Sequence, residues 1–424
     1  MVESIKTEIV IVGTGAGGAI VAQELARADK KIVIIELGPD TSKYAGMDEM
    51  ELGRRLYQEN GKFPRSQEGI PYYRALNIGG TTEIAIGSGV RCLEDELKSL
   101  GIDLSQEFLE VEHELGVSPM VEEHMGHNAA LLTAAAESLG LKMTRWPKFI
   151  DFNKCKHCGR CVLTCPTGAK WSAKKVITKL RTRENVRVLS ETKAKSILTS
   201  NGHATGVLCQ TKHGPLTVQA KTIIVAAGGL GTPVILQNSG IEAGNGLFLD
   251  LFSVVYGRST DFLADLEPSM PTVYTENYDK GYILAPHVDV ALMLQGLKKW
   301  FGDKPPYGIM VKIRDSGAGR VDENGQVFKH VTETDWKRLS LGEKLAKRIL
   351  IEVGVKPEDI IVSQPRGGHP GGTAAIGKVV NPNLECKKVK GLYVCDASVL
   401  PVSPGLPPIL TIASIAKWLA KSLV

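Results

Sequence analysis

The first 36 residues contain the pattern that most restricts what this chain can fold into. A short β-branched run over 9–12 is typical of a buried strand, residues 19–28 read as a helix, and a second apolar run over 31–36 ends in Glu36. Between the first strand and the helix stand Gly13, Gly15 and Gly18. One glycine allows a tight turn, one lets a phosphate approach the backbone, and one lets helix and strand pack closely. We therefore predict an α/β fold with a dinucleotide at the helix N-terminus and its ribose at Glu36.

Composition and charge exclude several classes of protein. With 424 residues, 43% of them hydrophobic, the chain is long enough for two substantial cores. The net charge of +5 is too mild to indicate nucleic-acid binding. No apolar run reaches the roughly 20 residues of a membrane-spanning helix, and the N-terminus does not read as a signal peptide. We expect a cytoplasmic protein with no membrane span, and the oligomeric state stays open.

Two later regions carry a family resemblance. Residues 221–233 read KTIIVAAGGLGTP, a buried strand that runs into a glycine-rich turn before a helix. Near the C-terminus, residues 369–373 read HPGGT, residues 391–398 read GLYVCDAS and residues 410–412 read LTI. With the loop over 79–82, GGTT, these motifs resemble the glucose–methanol–choline (GMC) flavin oxidoreductases in family order along nearly the whole chain.

The resemblance implies FAD as cofactor and a division of the chain into three parts. Residues 1–245 would form a Rossmann-like FAD-binding domain, interrupted by a cysteine-rich insertion at about 150–183. Residues 246–365 would form a small substrate domain of α+β type with an antiparallel sheet over the flavin. Residues 366–424 would return to the FAD-binding domain.

The resemblance also implies a set of site residues. His369 would be the catalytic histidine, and the helix beginning near Pro408 would direct its N-terminus at the flavin. The residues expected to contact FAD are Gly13, Gly15, Gly18, Glu36, Gly80, Thr81, Thr82, Ala194, Gly228, Asp396, Ala397, Pro408 and Thr411.

At one position the chain departs from the family pattern. Members usually place a second histidine or an asparagine beside the active-site histidine, a few residues before the LTI motif. Here the aligned position holds Pro407, whose side chain has no hydrogen-bonding group. The usual pair that binds the substrate oxygen is therefore incomplete. This argues against ordinary alcohol oxidation unless another residue substitutes, and it favours the reduction of an unsaturated or carbonyl substrate a little.

A cysteine run predicts a second redox centre. Cys155, Cys158, Cys161 and Cys165 have the spacing C-x2-C-x2-C-x3-C-P, which is typical of the ligands of a [4Fe–4S] cluster in bacterial ferredoxins. In two-cluster ferredoxins the fourth cysteine ligates the other cluster, so one of the four scattered cysteines of this chain could contribute a ligand. Zinc and reduced structural cysteines are the alternatives.

The charge around the cysteine run bears on partners. Residues 154–183 contain six Lys and three Arg with no Asp or Glu. This segment is either a solvated basic face or a docking patch for an acidic redox partner such as ferredoxin.

From these features we predict an FAD-dependent oxidoreductase that transfers a hydride between a hydroxyl (CH–OH) substrate and flavin. The cluster would then relay the electrons to a protein acceptor. Two alternatives stay open: a ferredoxin-driven reductase of an unsaturated or carbonyl substrate, and an electron-transfer subunit without a substrate of its own.

Overall fold

The computed structural model describes residues 3–259, 261–263, 266–294 and 306–424. Every helix described there is too short or too polar to cross a membrane. The strands are β1 Glu3–Lys6, β2 Ile9–Val12, β3 Ile32–Ile35, β4 Ser118–Pro119, β5 Thr144–Arg145, β6 Pro147–Lys148, β7 Val186–Leu189, β8 Lys193–Ser200, β9 His203–Thr211, β10 Gly214–Gln219, β11 Thr222–Val225, β12 Asn245–Leu247, β13 Leu251–Gly257, β14 Thr272–Val273, β15 Tyr282–Val288, β16 Tyr307–Ile313, β17 Gly319–Val321, β18 Val327–Phe328, β19 Ile360–Val362, β20 Arg366–Gly367 and β21 Leu392–Val394. The helices are α1 Ala16–Arg27, α2 Glu49–Tyr57, α3 Glu94–Ser99, α4 Ser105–Leu115, α5 His127–Ser138, α6 Ala173–Leu180, α7 Gly228–Gln237, α8 Val290–Leu294, α9 Glu333–Glu352 and α10 Ile409–Ser422.

The N-terminal pattern forms a parallel sheet, as the sequence predicts. Its strand order is β21-β11-β2-β3-β7, and all four pairings are parallel. Strands β2 and β3 are fully buried, and α1 packs against α6 and α10. Helix α1 begins at Ala16, three residues before the predicted start, because Gly15 already occupies the N-cap position. The predicted fold class is confirmed.

A second, antiparallel sheet lies in the middle of the chain. It has the order β15-β16-β13-β19, with β20 also paired to β13, and α9 packs on β13, β15 and β16. Helix α9 begins with a capping box in which Thr332 and Asp335 satisfy each other's backbone N–H groups. The pairing of β20 with β13 brings the segment just before His369 beside the start of β13.

Candidate active site

One large cavity lies where the parallel sheet meets the antiparallel sheet. It has a volume of about 840 Å³ and is bordered by the loops that follow β2, β3 and β11. Ligands of open α/β sheets bind at this end of the strands. Of the site residues that the sequence predicts outside the cysteine run, all line this cavity except Gly18 and Thr411.

Gly18 and Thr411 lie behind the cavity wall. A Cβ at Gly18 would be 2.1 Å from the backbone oxygen of Gly13, so this glycine allows close packing of α1 on the preceding turn. The Thr411 hydroxyl accepts a hydrogen bond from the Cys92 N–H and donates one to the Cys92 carbonyl, both at 3.0 Å. These contacts tie α10 to the residues before α3.

Three helix N-termini face the cavity. Helices α1, α7 and α10 begin after Gly15, Ala227 and Pro408, and none of these N-cap residues makes a side-chain capping bond. The N-cap residue and first helical residue of each helix line the cavity. Uncapped helix N-termini present free N–H groups and a positive dipole end, which favours bound anionic groups.

Two glycines show that the first turn fits a dinucleotide. Gly13 has φ +107°, and a Cβ there would be 2.1 Å from the Ala226 carbonyl oxygen, so only glycine fits. A Cβ at Gly15 would meet no atom within 4 Å, because it would project into open cavity space. The turn therefore leaves room for a pyrophosphate against the N-terminus of α1, and its residues fit FAD.

Side chains larger than hydrogen at Gly15 are expected to reduce FAD binding progressively. The backbone there does not need glycine for its φ, so Gly15→Ala and Gly15→Val should fold. Because the added atoms occupy the space left for the pyrophosphate, Gly15→Val should weaken FAD binding by about ten- to a hundredfold and Gly15→Ala by less. Titrating apo-protein with FAD measures this order, and equal affinity in all three proteins would contradict the assignment.

Two carboxylates hold the cavity wall together. Glu36 accepts hydrogen bonds from the Thr14 hydroxyl at 2.5 Å and from the N–H groups of Thr14 and Gly38 at 3.0 and 2.8 Å. Burial raises the pKa of Glu36. Asp396 accepts from the Gly228 N–H at 2.8 Å and the Thr232 hydroxyl at 2.5 Å, which joins the start of α7 to the C-terminal segment.

His369 is held by an aspartate that the sequence analysis did not single out. Its Nδ1 lies 3.0 Å from Oδ2 of Asp250, whose side chain is fully buried. A carboxylate can only accept here, so Nδ1 carries the proton and Nε2 has a free lone pair. Asp250 has φ +49° and directly precedes β13, while the His369 N–H donates to the Leu249 carbonyl at 2.9 Å. The pairing of β13 with β20 thus brings the two side chains together.

The surroundings keep His369 neutral. Removal of the ring from water and the nearby ammonium of Lys312 lower its pKa to about 4, against the opposite effect of Asp250. An imidazole with this pKa is unprotonated throughout the neutral range and can accept a proton.

The wall beside His369 is mostly apolar. Lys312 and Asp289 are charged residues of the cavity wall that the sequence does not single out, and Pro407 lines the same cavity. The apolar residues here are Phe252, Met270, Val288 and Met310. A cavity with an apolar wall and a few polar groups is typical of a site for a small organic substrate.

The four cysteines of the run line a second, small cavity. Cys155, Cys158, Cys161 and Cys165 all border it, and it has a volume of about 20 Å³. In the described part of the chain, no three His, Cys, Asp or Glu side chains are arranged to hold a metal ion. Each thiolate of a four-iron cluster binds a different iron, so four sulfurs surround a cluster rather than meet at one atom. In its present shape the cavity is too small for a four-iron cluster.

Backbone N–H groups already point at two of these sulfurs. The N–H of His157 donates to Sγ of Cys155, and the N–H of Lys170 donates to Sγ of Cys165, both at 3.4 Å. Hydrogen bonds of this kind to ligand sulfurs tune iron–sulfur clusters.

A buried lysine joins the cysteine run to the large cavity. Nζ of Lys170 donates to the carbonyls of Cys161, Glu83 and Ala85 at 2.8, 2.8 and 2.7 Å, and to that of Thr82 at 3.1 Å. Thr82 and Ala85 line the large cavity, as does Val162, the residue after Cys161. Consecutive residues are about 3.8 Å apart at Cα, so the two cavities are near neighbours.

The scattered cysteines lie elsewhere. Cys92, Cys209, Cys386 and Cys395 are all buried, and none borders the small cavity. Burial raises the pKa of Cys92 and of Cys209 to about 12. This placement favours a site formed by the run alone.

The basic segment around the run is partly neutralised by ion pairs. Lys154 pairs with Asp151 at 2.8 Å and Arg160 with Glu49 at 2.8 Å. Arg183 reaches Asp29 at 3.5 Å, Arg181 pairs with Asp40, and Lys170 is buried. Acidic residues from outside the segment therefore balance four of its nine basic residues, which weakens the prediction of a strongly basic docking patch.

Comparison with protein-family models gives two matches. The N-terminal part of the GMC oxidoreductase model matches residues 54–253, and the C-terminal part matches residues 326–416. The two matches leave out the N-terminal strands and much of the antiparallel sheet.

Curated relatives span the whole chain. An uncharacterised protein of Methanocaldococcus jannaschii is 30% identical over 422 residues, which cover 98% of this chain and 100% of that protein. An uncharacterised GMC-type oxidoreductase of Mycobacterium tuberculosis is 26% identical and covers 99% of this chain and 76% of its own length. A long-chain-alcohol oxidase of Arabidopsis thaliana is 24% identical, over 97% of this chain and 66% of that protein.

Solved structures share the fold at low identity. A pyridoxine 4-oxidase from Mesorbium loti has a TM-score of 0.75 at 16% identity, covering 98% of this chain and 99% of that one. A formate oxidase has a TM-score of 0.74 at 15% identity, and the match covers 99% of this chain and 98% of that one.

Proposed function

The chain belongs to the GMC oxidoreductase family and is an FAD-dependent oxidoreductase, and from this premise we propose that it is an alcohol dehydrogenase with an iron–sulfur relay. The substrate would be a small molecule with a CH–OH group, and the electrons would leave singly to a protein acceptor. The observation that carries the proposal is the hydrogen bond between His369 Nδ1 and the buried Asp250 at 3.0 Å, in the wall of the cavity that fits FAD.

His369 would act as the general base. Asp250 fixes the ring and its tautomer, so the lone pair at Nε2 is available to accept the proton of the substrate hydroxyl. The hydroxyl proton would move to Nε2 of His369. The C–H hydrogen would leave with the electron pair of its bond, as a hydride, and the substrate would become a carbonyl product. Bound FAD supplies the two-electron acceptor for that hydride.

The neighbouring apolar side chains would hold the carbon part of the substrate and exclude water. Phe252, Met270 and Met310 favour an alcohol with an apolar body. A long-chain-alcohol oxidase among the relatives agrees with this choice.

The second redox centre that we propose is a [4Fe–4S] cluster bound by Cys155, Cys158, Cys161 and Cys165. It is supported by the ferredoxin-type spacing, by the position of all four cysteines around one small cavity and by the N–H donors to two sulfurs. The cysteine side chains would have to move apart to make room for the cluster. A cluster of this kind accepts and passes single electrons. Lys170 would keep the run against the loop over 82–85, so that the two redox sites stay close.

The nature of the electron acceptor follows from the relay. A protein acceptor such as ferredoxin would dock near the cysteine run, where ion pairs reduce the positive charge available to steer an acidic partner. The reverse flux, from a reduced ferredoxin to a carbonyl substrate, uses the same groups. The apolar cavity beside His369 argues against a subunit without a substrate of its own.

Anaerobic mixing with alcohols tests this function. Straight-chain primary alcohols from ethanol to 1-decanol are expected to bleach the oxidised-flavin absorbance of the purified protein, with higher affinity for the longer chains. Because the relay carries the electrons outward, the reduced enzyme should react slowly with O2. Rapid turnover in air without any mediator would contradict the dehydrogenase assignment. If neither the straight-chain alcohols nor benzyl alcohol bleached the flavin, alcohol oxidation would be contradicted.

A further inference from the structure

We propose that Lys312 is the second polar group of the active site and binds the oxygen of the substrate, a task for which Pro407 has no side-chain donor. The proposal rests on the alcohol oxidation proposed above. It goes further by assigning the stabilisation of the developing alkoxide to a residue outside the family motifs of this chain.

Lys312 is an isolated charge in an apolar strand. It lies in β16, whose sequence is YGIMVKI, and its side chain is only 2% exposed. Burying an ammonium is costly unless a partner compensates. Asp250 is that partner: Nζ donates to its carbonyl oxygen at 3.1 Å and lies 3.4 Å from its Oδ2.

The same carboxylate oxygen positions His369. Oδ2 of Asp250 contacts both His369 Nδ1 and Lys312 Nζ, at 3.0 and 3.4 Å. A Cβ at Gly368, the residue before His369, would lie 3.5 Å from Lys312 Nζ. His369, Lys312 and Gly368 all line the cavity, so one buried anion holds a base and a cation side by side.

The carboxylate is itself fixed by the segment that contains Pro407. Oδ1 of Asp250 accepts from the Ser403 hydroxyl at 2.5 Å and from the Gly405 N–H at 3.0 Å. The chain therefore uses the 403–407 segment to orient Asp250.

One N–H of Lys312 is left for a ligand. An ammonium has three donors, and the acceptor atoms recorded for it within the described residues both belong to Asp250. The ring of Phe252 lies on another side, with its centroid 6.0 Å from Nζ. An oxygen atom in the cavity can take the third donor.

The chemistry of alcohol oxidation needs such a donor. As the hydroxyl proton moves to Nε2 of His369, negative charge grows on the substrate oxygen. A fixed cation beside the substrate oxygen stabilises that charge more in the transition state than in the bound alcohol. Burial lowers the pKa of Lys312, and the ion pair with Asp250 opposes this by favouring the charged form. The proposed role uses that charged form, and Lys312 donates a hydrogen bond without transferring a proton.

Lys312→Met tests this role because methionine fills similar space without charge or donor. The variant is expected to lose about 10²- to 10³-fold in the rate of flavin reduction by 1-decanol, the usual loss on removing one transition-state donor. Lys312→Gln keeps a neutral donor, so its rate of flavin reduction should fall between those of the wild type and Lys312→Met. Rates are compared per bound flavin, so that a partly unfolded preparation does not mimic the effect.

Lys329→Met is the matched control. Lys329 is a second fully buried lysine, its Nζ lies 2.6 Å from Asp315, and it does not line the cavity. Both lysine-to-methionine variants should lose thermal stability, because each leaves a buried carboxylate without its cation. Lys329→Met should keep the wild-type rate of flavin reduction. Equal losses of rate in both variants, or a wild-type rate in Lys312→Met, would overturn the assignment. If no alcohol reduces the wild-type flavin, the proposed function fails instead.

The pH profile gives a readout that a purely structural role would not move. The charged groups facing His369 are Lys312 from β16 and Asp250 from the residue before β13, with Asp315 and Lys329 behind them. The base works only when neutral, so activity should fall as the pH drops through its pKa of about 4. Removing the neighbouring cation makes protonation of His369 easier, which should move this acidic limb to higher pH in Lys312→Met. An unmoved limb would overturn the assignment.

Discussion

Replacing His369 by alanine is expected to slow flavin reduction by a primary alcohol by about 10²- to 10⁴-fold, the usual contribution of a positioned general base. The expected loss is large because the structure has prepared this ring for one task. Asp250 fixes its tautomer, and the pKa of about 4 keeps Nε2 ready to accept a proton at neutral pH. Stopped-flow measurement of flavin absorbance under anaerobic conditions gives the rate.

A matched control separates this effect from a general effect of losing a histidine. His213 is exposed in the turn before β10, and His213→Ala should reduce the flavin at the wild-type rate. FAD content should be the same in both variants, because other residues form most of the cavity wall. A His369→Ala variant that oxidises alcohol as fast as the wild type would rule out the base. In a subunit that only transfers electrons, mediated electron transfer would survive His369→Ala and no alcohol would reduce the wild-type flavin.

Replacing Cys158 by alanine is expected to separate the two halves of the reaction. The variant should contain flavin but little or no iron, because one of four thiolate ligands is gone. Alcohol should still reduce its flavin at the wild-type rate, since Cys158 does not line the large cavity. Reduction of cytochrome c, a one-electron acceptor too large to enter that cavity, should be lost.

Cys209→Ala is the control for the cysteine prediction. Cys209 is buried in β9 and borders neither cavity, so this variant should keep iron, flavin and cytochrome c reduction. If Cys158→Ala kept both its iron and its cytochrome c activity, the cysteine run would not be the relay.

The sequence predicts the first sheet and the walls of the FAD cavity well, for physical reasons. Short-range rules determine the Gly13 turn, the buried strands and the start of α1, because each needs particular residue types at fixed spacing. The family motifs then predict the C-terminal segments, which return to the cavity from more than 200 residues away. Gly18 and Thr411 belong to the same motifs but lie behind the cavity wall, where they contribute to packing rather than to cofactor binding.

The contacts around His369 are not predictable from local rules. Asp250 and Lys312 are single charges in apolar runs, and such residues are most often strand ends or bulges in a sequence read alone. Their meaning depends on the register of β13 with β16 and β20, which brings both against His369. A lone charge inside an otherwise apolar strand was the available signal, because a buried ion requires a partner.

For the basic segment around the cysteines, the sequence overestimates the positive charge. Counting charges along residues 154–183 predicts a strongly positive face, yet Asp40, Glu49 and Asp29 reach it from other parts of the chain. A local charge count omits such partners because they are distant in sequence.

Cofactor analysis of the protein purified without oxygen tests the central claim most directly. We expect one FAD with about four iron and four sulfide per chain, and an EPR signal of a reduced cluster after dithionite treatment. Addition of 1-decanol should bleach the flavin of the same sample. Flavin without iron would contradict the relay and leave the four cysteines with a structural role or a zinc ion.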